Sequence, residues 1–234
     1  MNQITFQDVY QTSATSNPFK LGQRGQTPDG RQWVFVKAST GTLAKGSVAI
    51  QDAVVAVDTV SSSTDALGRI VYITKASAGW TVGAYEDTWV IVDDGTGKGQ
   101  AGKVQTNSTD TLTLYPENAF STALSVIDSD ITIVRAAYVT KAAVTSTIQG
   151  TVGIAQTAFA NGDYGWLLTE GDGVVLTGNT LVVGAGFTTG DDTTGQVVVG
   201  VTAKGPYDAQ NLGFCWVANS AADMLALVRV EIRG

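Results

Sequence analysis

The residues Gly97 to Lys103 read GKGQAGK and come within one position of a phosphate-binding loop. Such a loop needs glycine, four residues, glycine and lysine, then a serine or threonine that binds magnesium. Here Val104 stands at the hydroxyl position, and the threonine-rich stretch that follows favours a strand over the helix that holds phosphates. We therefore interpret 97–103 as a glycine-rich hairpin tip, with Val90 to Val92 as the incoming strand and Lys103 to Gln105 as the outgoing one.

The chain of 234 residues contains no histidine and one cysteine, which removes most nucleophilic and metal chemistry. Without histidine, neither a Ser-His-Asp nor a Cys-His system can form. A single cysteine can form neither a cysteine-rich zinc site nor an intrachain disulfide. Cys215 stands in the apolar run Gly213 to Val217 with no basic neighbour, so we interpret it as a buried structural thiol.

Carboxylate pairs and oxygen-ligated metals are the chemistry that remains open. A glycosidase needs two carboxyl groups about 5–10 Å apart in a cleft. The acids nearest to strand patterns lie beside glycine or threonine in turn-like segments, and they are Glu86, Asp87, Asp93, Asp94, Glu170 and Asp172. The pairs Asp191-Asp192 and Asp128/Asp130 could ligate calcium, but neither matches a known calcium loop. We therefore predict no catalytic residue, no metal and no cofactor, and a protein that is not an enzyme.

The tryptophans raise the alternative of a sugar-binding surface. They are Trp33, Trp80, Trp89, Trp166 and Trp216, and each lies in or beside an apolar strand pattern. Tryptophan in such a pattern more often fills a core or an interface. Sugar binding stays an alternative.

The charge pattern limits the partners of the chain. Its net charge is −7, and its 14 basic residues are scattered singly, so we predict no nucleic-acid binding. No segment reaches the ~18 uninterrupted apolar residues of a membrane span, and the first residues lack the basic and apolar regions of a signal peptide. We expect no membrane association.

Most of the chain has the texture of short β-strands separated by Gly, Asp, Asn or Ser, which predicts an all-β sandwich or barrel of many short antiparallel strands. The predicted strands are Gln32–Ala38, Val48–Ile50, Val54–Val57, Arg69–Thr74, Thr88–Val92, Thr111–Tyr115, Ile131–Val134, Gly173–Leu176, Thr180–Val183, Gln196–Val199 and Val228–Ile232. Helix is predicted at most for one turn in Ser220–Leu225.

Residues 1–30 differ from the rest, because their few apolar residues are spread among polar ones with proline and glycine between them. We predict an extended N-terminal arm over 1–30, a β region over 31–137 and a second β region over 138–234. The two β regions could also be one continuous domain, with 137–143 as the most plausible seam. The arm must dock onto its own domain, a neighbouring subunit or a partner. The candidate residues in and next to it for contacts with a capsid or another subunit are Phe6, Val9, Tyr10, Phe19, Arg24 and Arg31.

Three stretches resemble structural proteins of tailed bacteriophages. The segment Val90 to Gln100, followed by Leu112 to Leu114, is similar to a sequence motif that recurs in such proteins. Leu21 to Gly25 with Pro28 to Trp33 resembles the opening of small phage head proteins, and Gly153 to Thr157 followed by Tyr164 to Trp166 resembles their later part. The resemblance implies a capsid decoration, or cement, protein, a family whose members often sit as trimers on the head surface.

That resemblance implies a structural virion protein, made in the cytoplasm of the host bacterium and located on the outer capsid surface. Its expected partner is the major capsid protein, whose neighbouring subunits it would bridge as a homotrimer to stabilise the shell. An extended arm suits such a role, because it adds contacts across several neighbours. The alternatives are a phage tail or fibre component with a carbohydrate-binding role and, less well supported, a small two-carboxylate glycosidase.

Overall fold

The computed structural model describes residues 2–14, 19–141, 150–189, 196–199, 212–218, 221 and 224–232. These residues form eighteen strands, one short α-helix and one 3₁₀ turn, so the all-β prediction is confirmed. The chain divides into two compact units, the first made of residues 1–52 and 137–234 and the second of residues 53–136.

In chain order the elements up to residue 74 are β1 (Asn2–Gln3), α1 (Phe6–Val9), β2 (Arg24–Gln26), β3 (Gln32–Thr40), β4 (Val48–Gln51), β5 (Val55–Val57), β6 (Ser61–Thr64) and β7 (Ile70–Thr74). They continue with β8 (Trp89–Asp94), β9 (Ala101–Asn107), β10 (Thr111–Leu114), the 3₁₀ turn Pro116–Asn118 and β11 (Asp130–Val134). The last group is β12 (Tyr138–Lys141), β13 (Thr151–Ala155), β14 (Tyr164–Thr177), β15 (Gly186–Thr189), β16 (Val197–Val199), β17 (Gly213–Val217) and β18 (Met224–Glu231).

The first unit contains two closed rings of strands that share the long strand β14. One ring runs β3-β12-β4-β13-β14 and closes because β14 also pairs with β3. The other runs β14-β16-β15-β17-β18 and closes because β18 pairs back onto β14. The amino-terminal half of β14 therefore belongs to the first barrel and its carboxyl-terminal half to the second. Closure leaves no free edges within the rings.

The interior of the first barrel is narrow, and its sequence reflects this. Five strands enclose little space, so several inward positions carry alanine or glycine, among them Ala38, Ala49 and Ala155. A Cβ atom added to Gly153 would come within 2.6 Å of the Cβ of Leu167. Small residues at these positions are therefore a condition of closing the ring.

The burial pattern of β14 changes along its length. From Tyr164 to Leu168 every residue is buried, because one face lines the first barrel and the other packs against the arm and neighbouring strands. From Gly171 onward buried and more exposed positions alternate, as in a strand with one face towards a core. The amino-terminal half accordingly reads as a continuous apolar run.

The second unit is an antiparallel sheet in the order β5-β11-β8-β9-β10-β7-β6. Strands β7, β10 and β11 alternate strictly between buried and more exposed positions, and the buried face of the sheet packs around Trp80, Phe120 and Leu124. The opposite face of β8 leaves Trp89 and Ile91 exposed. Five of its seven strands, β5, β7, β8, β10 and β11, coincide with predicted strands.

The second unit is inserted at the end of a strand pair of the first. Strands β4 and β12 are antiparallel neighbours, and the Asp52 amide donates to the Tyr138 carbonyl oxygen at 2.8 Å. The chain thus leaves the first barrel after β4 and re-enters it at the adjacent strand. An insertion between neighbouring strand ends leaves the host barrel's pairing intact.

Most strand predictions hold, and two elements are wrong. Thr180 to Val182 has no regular structure and Val183 begins a turn with Gly184, whose φ of 79° suits a turn rather than a strand. The arm contains the helix α1, because Thr5 caps it and Asp8 completes a capping box. The predicted helical turn lies partly outside the described residues, and its last members, Met224 and Leu225, begin β18.

The compact units differ from the predicted regions in where residues 1–52 belong. The predicted seam at 137–143 begins where the first unit resumes. Residues 1–52 nevertheless belong to that unit, because β3 pairs with the distant strand β14. Pairing between residues more than a hundred positions apart cannot be seen in local patterns.

Replacing residues 53–136 by an Asn-Gly turn should leave a first unit that unfolds cooperatively, because Asp52 and Tyr138 already lie across a strand pair. The measurement is chemical denaturation followed by tryptophan fluorescence, with the intact chain as reference. A shortened chain without a cooperative transition would show that the first barrel needs the insertion in order to fold.

Candidate functional site

The glycine-rich loop is the tip of the β8–β9 hairpin, as predicted. Gly95, Gly97 and Gly99 all have positive φ, and β9 follows where a nucleotide site would need a helix. The exposed Lys98 pairs with Asp94 at 3.2 Å across the turn. The backbone N–H groups therefore form turns and strand pairs instead of a phosphate cradle.

The candidate carboxylates hold loops and strands in place. Asp87 accepts hydrogen bonds from Lys103 at 2.8 Å and from the Tyr115 hydroxyl at 3.1 Å. Burial, together with the charge of Asp87, raises the pKa of Tyr115. Asp93 accepts from Thr132, and Glu170 accepts from Gln32. These acids are committed to neighbouring side chains.

Asp128 and Asp130, considered as calcium ligands, accept hydrogen bonds from Thr96 and from the Thr59 amide. Asp191 and Asp192 lie outside the described residues. Within the part of the chain that the structure describes, no group of three or more acidic or cysteine side chains is placed to hold a metal ion. In the same part no helix is long and apolar enough to cross a membrane.

Cys215 is buried on the inner side of β17, and its thiol lies 3.2 Å from the Val217 carbonyl oxygen. Burial raises the pKa of this thiol, which keeps it protonated and unreactive at neutral pH. The interpretation as a buried structural thiol agrees with this environment.

The six candidate contact residues of the arm occupy different environments. Val9 is fully buried in the core of the first unit, and Phe19 packs against Phe35 and Trp166. Phe6 and Tyr10 are exposed, each at 43%, and Arg24 is exposed on β2. The arm thus docks onto its own unit, the first of the three possibilities that the sequence leaves open. A contact role for Phe6, Tyr10 and Arg24 stays a prediction.

Arg31 anchors the arm to the rest of the unit. Its guanidinium group donates to the Asp29 carboxylate at 2.6 Å and to the Tyr10 hydroxyl at 2.9 Å, and it lies 5.4 Å from the Trp33 ring centroid. Gly171 makes room for it, since a Cβ atom there would meet the Arg31 Cγ at 2.5 Å. These contacts join the arm, the turn after β2 and strand β14.

The ion pair within this anchor depends on pH. Although burial alone raises the pKa of Asp29, hydrogen bonds from Thr27 and Arg31 outweigh it and hold that pKa below its usual value. A carboxyl group with a lowered pKa adds stability above its unfolded-state pKa and loses it as the pH falls through the folded-state value. The anchor is therefore complete at neutral pH.

A polar cleft lies beside this anchor. It has a volume of 400 Å³ and is lined by Asp29, Gly30, Arg31, Gly171, Asp172 and Arg229. Asp172 and Arg229 face each other across the β14–β18 pair, and the Trp216 indole N–H donates to the Asp172 carboxylate at 3.1 Å. In the sequence Asp172 is a candidate glycosidase acid and Trp216 a candidate sugar-binding residue, and the fold brings both together with Arg229.

An apolar face covers the outer side of the second barrel, defined here as Val174, Leu176, Val217, Leu225 and Leu227. Leu225 and Leu227 alternate with the inward Ala226 and Val228, and they pair with Leu176 and Val174. Val217 pairs with Leu227 and is 54% exposed, while both leucines are more than 40% exposed. Contiguous exposed apolar side chains mark surfaces that contact something else.

Sequence reasoning missed this face, although a signal was present. The run Met224 to Val228 has no polar residue at its outward positions, so it does not alternate as a half-exposed strand should.

Of the five tryptophans, Trp33, Trp80 and Trp166 are buried, whereas Trp89 and Trp216 are exposed at 42% and 48%. The core interpretation is confirmed for the first three. Comparisons of the chain with protein-family models, with curated proteins and with solved structures found no match.

The arm is expected to contribute to stability through Val9. Val9→Ala should lower the free energy of unfolding by about 1.5–3 kcal/mol, because it removes fully buried methyl groups from the core. Val183→Ala, at a position that is 66% exposed in the same unit, is the control and should change little. Equal effects in urea denaturation would show that the arm is not part of the core.

Proposed function

We propose that the chain is a structural virion protein, a head decoration protein that binds the outer capsid surface of a tailed bacteriophage. It bridges neighbouring major capsid subunits, stabilises the shell and performs no catalysis. Two things support this proposal: the resemblance of three stretches to phage head and structural proteins, and the apolar face of the second barrel.

The apolar face is the observation on which the proposal depends most. Its residues stand on three adjacent strands of a closed barrel, so they present a fixed surface and not a flexible one. Covering apolar area removes it from water and stabilises an association by roughly 25 cal/mol per Å² before the costs of association. A decoration protein needs a rigid surface of this kind to bind a shell.

The state of the polar side chains is consistent with a structural role. Asp87, Asp93 and Glu170 are among the candidate acids of a glycosidase. Each is hydrogen-bonded to a neighbouring side chain of the fold. Each stabilises a turn or a strand pair. Closed barrels also suit an exposed particle surface, since they present few unpaired strand edges to other proteins.

Oligomerisation to a homotrimer is part of the same proposal. A ring of three copies is closed by one repeated heterologous contact, and a decoration protein that bridges capsid subunits gains avidity from three linked attachments. The apolar face is the surface we assign to binding the shell, and the exposed arm residues Phe6, Tyr10 and Arg24 are candidates for contacts between copies.

Purified protein should rebind phage heads that lack it and raise the temperature at which they open. Leu227→Asp should weaken rebinding by about tenfold or more, because the new charge has to be buried in the contact. Ile91→Asp is the matched control, since Ile91 is an exposed apolar strand residue of the second unit.

Co-sedimentation with heads gives the affinities, and circular dichroism checks that both variants fold. Heads that neither bind the wild-type protein nor gain stability would contradict the function. Equal losses for both variants would contradict the choice of surface.

Sedimentation equilibrium should give a solution mass of three times that of one chain. Tyr10→Ser is expected to lower this association if the arm contacts a neighbouring copy, because Tyr10 is exposed beside the anchor. A monomer at micromolar concentration would contradict the trimer while leaving attachment to the shell to be judged by co-sedimentation.

A further inference from the structure

The polar cleft has the size of a small-molecule site. Its volume of 400 Å³ falls within the range of about 300–1,000 Å³ that is usual for such sites. Its walls come from the turn after β2 and from the β14–β18 pair, all within the first unit. Gly30 contributes backbone without a side chain, and the space where a Cβ atom would stand is open, which lets a ligand approach closely.

The charges in the cleft are balanced. Two aspartates and two arginines line it, and Asp29 is already joined to Arg31 by a contact of 2.6 Å. Glu170 and Glu231 are paired across β14 and β18, two residues along the strands from Asp172 and Arg229, and they add negative charge nearby. Such surroundings disfavour an anion and give a cation no dedicated carboxylate cage.

Asp172 and Arg229 retain hydrogen-bonding capacity. Their closest approach is 3.5 Å, the long limit for a hydrogen bond, and their side chains are 57% and 36% exposed. The carboxylate accepts one bond from Trp216 and still offers further lone pairs, while the guanidinium group carries five N–H donors. The Asp172 carboxylate can therefore accept further hydrogen bonds next to the Arg229 guanidinium group, which can donate them.

Two partly exposed aromatic rings are hydrogen-bonded to residues that line the cleft. The hydrogen bond to Asp172 holds the half-exposed Trp216 indole in place, and the Trp216 ring also packs at 5.1 Å against Phe214. On the other side, Tyr10 is held by Arg31 and leaves part of its ring exposed. Rigid, amphipathic rings next to directed polar groups are a frequent combination in binding sites.

We propose that this cleft binds a neutral carbohydrate. Adjacent sugar hydroxyls donate to the Asp172 carboxylate and accept from the Arg229 guanidinium group, while the apolar C–H face of the sugar ring packs against Trp216. A polyhydroxyl ligand both donates and accepts, so it matches a cleft of balanced charge better than an ion does. This inference does not depend on the proposed attachment to a capsid.

A glycan array with the full-length protein tests the site, because it presents neutral and acidic sugars side by side. We expect binding to neutral glycans, followed by affinities from titration calorimetry with the best neutral oligosaccharide. Asp172→Asn, Arg229→Gln and Trp216→Ala should each weaken binding at least tenfold. Asp172→Asn keeps an acceptor for Trp216 and Arg229→Gln keeps a donor, so these two remain informative if Trp216→Ala does not fold.

Trp89→Ala is the matched control, since Trp89 is an equally exposed strand tryptophan in the second unit and should leave the affinity within twofold. The proposal is overturned if the array shows no binding, if acidic glycans alone are bound, or if the cleft variants bind like the wild type. Loss in Trp89→Ala together with unchanged cleft variants would move the site to the second unit. Failure of this test leaves head rebinding by the same protein unaffected, so the two proposals fail separately.

Discussion

The hydrogen bonding of strand β14 is the constraint on which the first unit depends. This strand must satisfy its backbone groups on two sides over fourteen residues, because most of it is buried. One side pairs first with β3 and then with β18. On the other side, the gap between β13 and β16 is filled by the side chain of Gln156, which both accepts from and donates to the Val174 backbone, and by the Gly46 carbonyl oxygen. Two barrels can share one strand because these groups replace a missing neighbour.

The surface features of the unit follow from the same strand. Its amino-terminal half is covered by the arm, and its outward residues in the other half are Asp172, Val174 and Leu176. Their partners on β18 are Arg229, Leu227 and Leu225. One outer face therefore runs from a polar cleft to an apolar surface over roughly four residues, about 13 Å along the strand. The proposed sugar site at Asp172 and the proposed shell contact, which begins at Val174, therefore adjoin on this face.

The sequence predicts those elements whose burial is local. The strands of the second unit alternate because one face is buried, and turns such as Pro28-Asp29-Gly30 are set by glycine at positive φ. The predicted strand Thr180 to Val183 is wrong because the apolar run between Gly178 and Gly184 looks like a strand, whereas its buried Leu181 lies in an irregular segment that leads into a turn at Gly184.

The barrels and the cleft could not be predicted, for a different reason. The pairing of β3 with β14, and of Asp172 with Arg229, joins residues that local patterns do not connect. Arg31 illustrates the same limit. In the sequence Arg31 is a candidate contact residue. In the fold it anchors the arm, because it donates to Tyr10 and Asp29 and fits into the space that Gly171 leaves.

The central claim is that this chain is a component of a phage head. Cryo-electron microscopy of intact particles that carry the protein tests it most directly. The account predicts density for the two-unit chain on the outer face of the shell, repeated around threefold positions, with the apolar face of the second barrel turned towards capsid subunits. Density for the chain in the tail or fibres, with none on the shell, would contradict it.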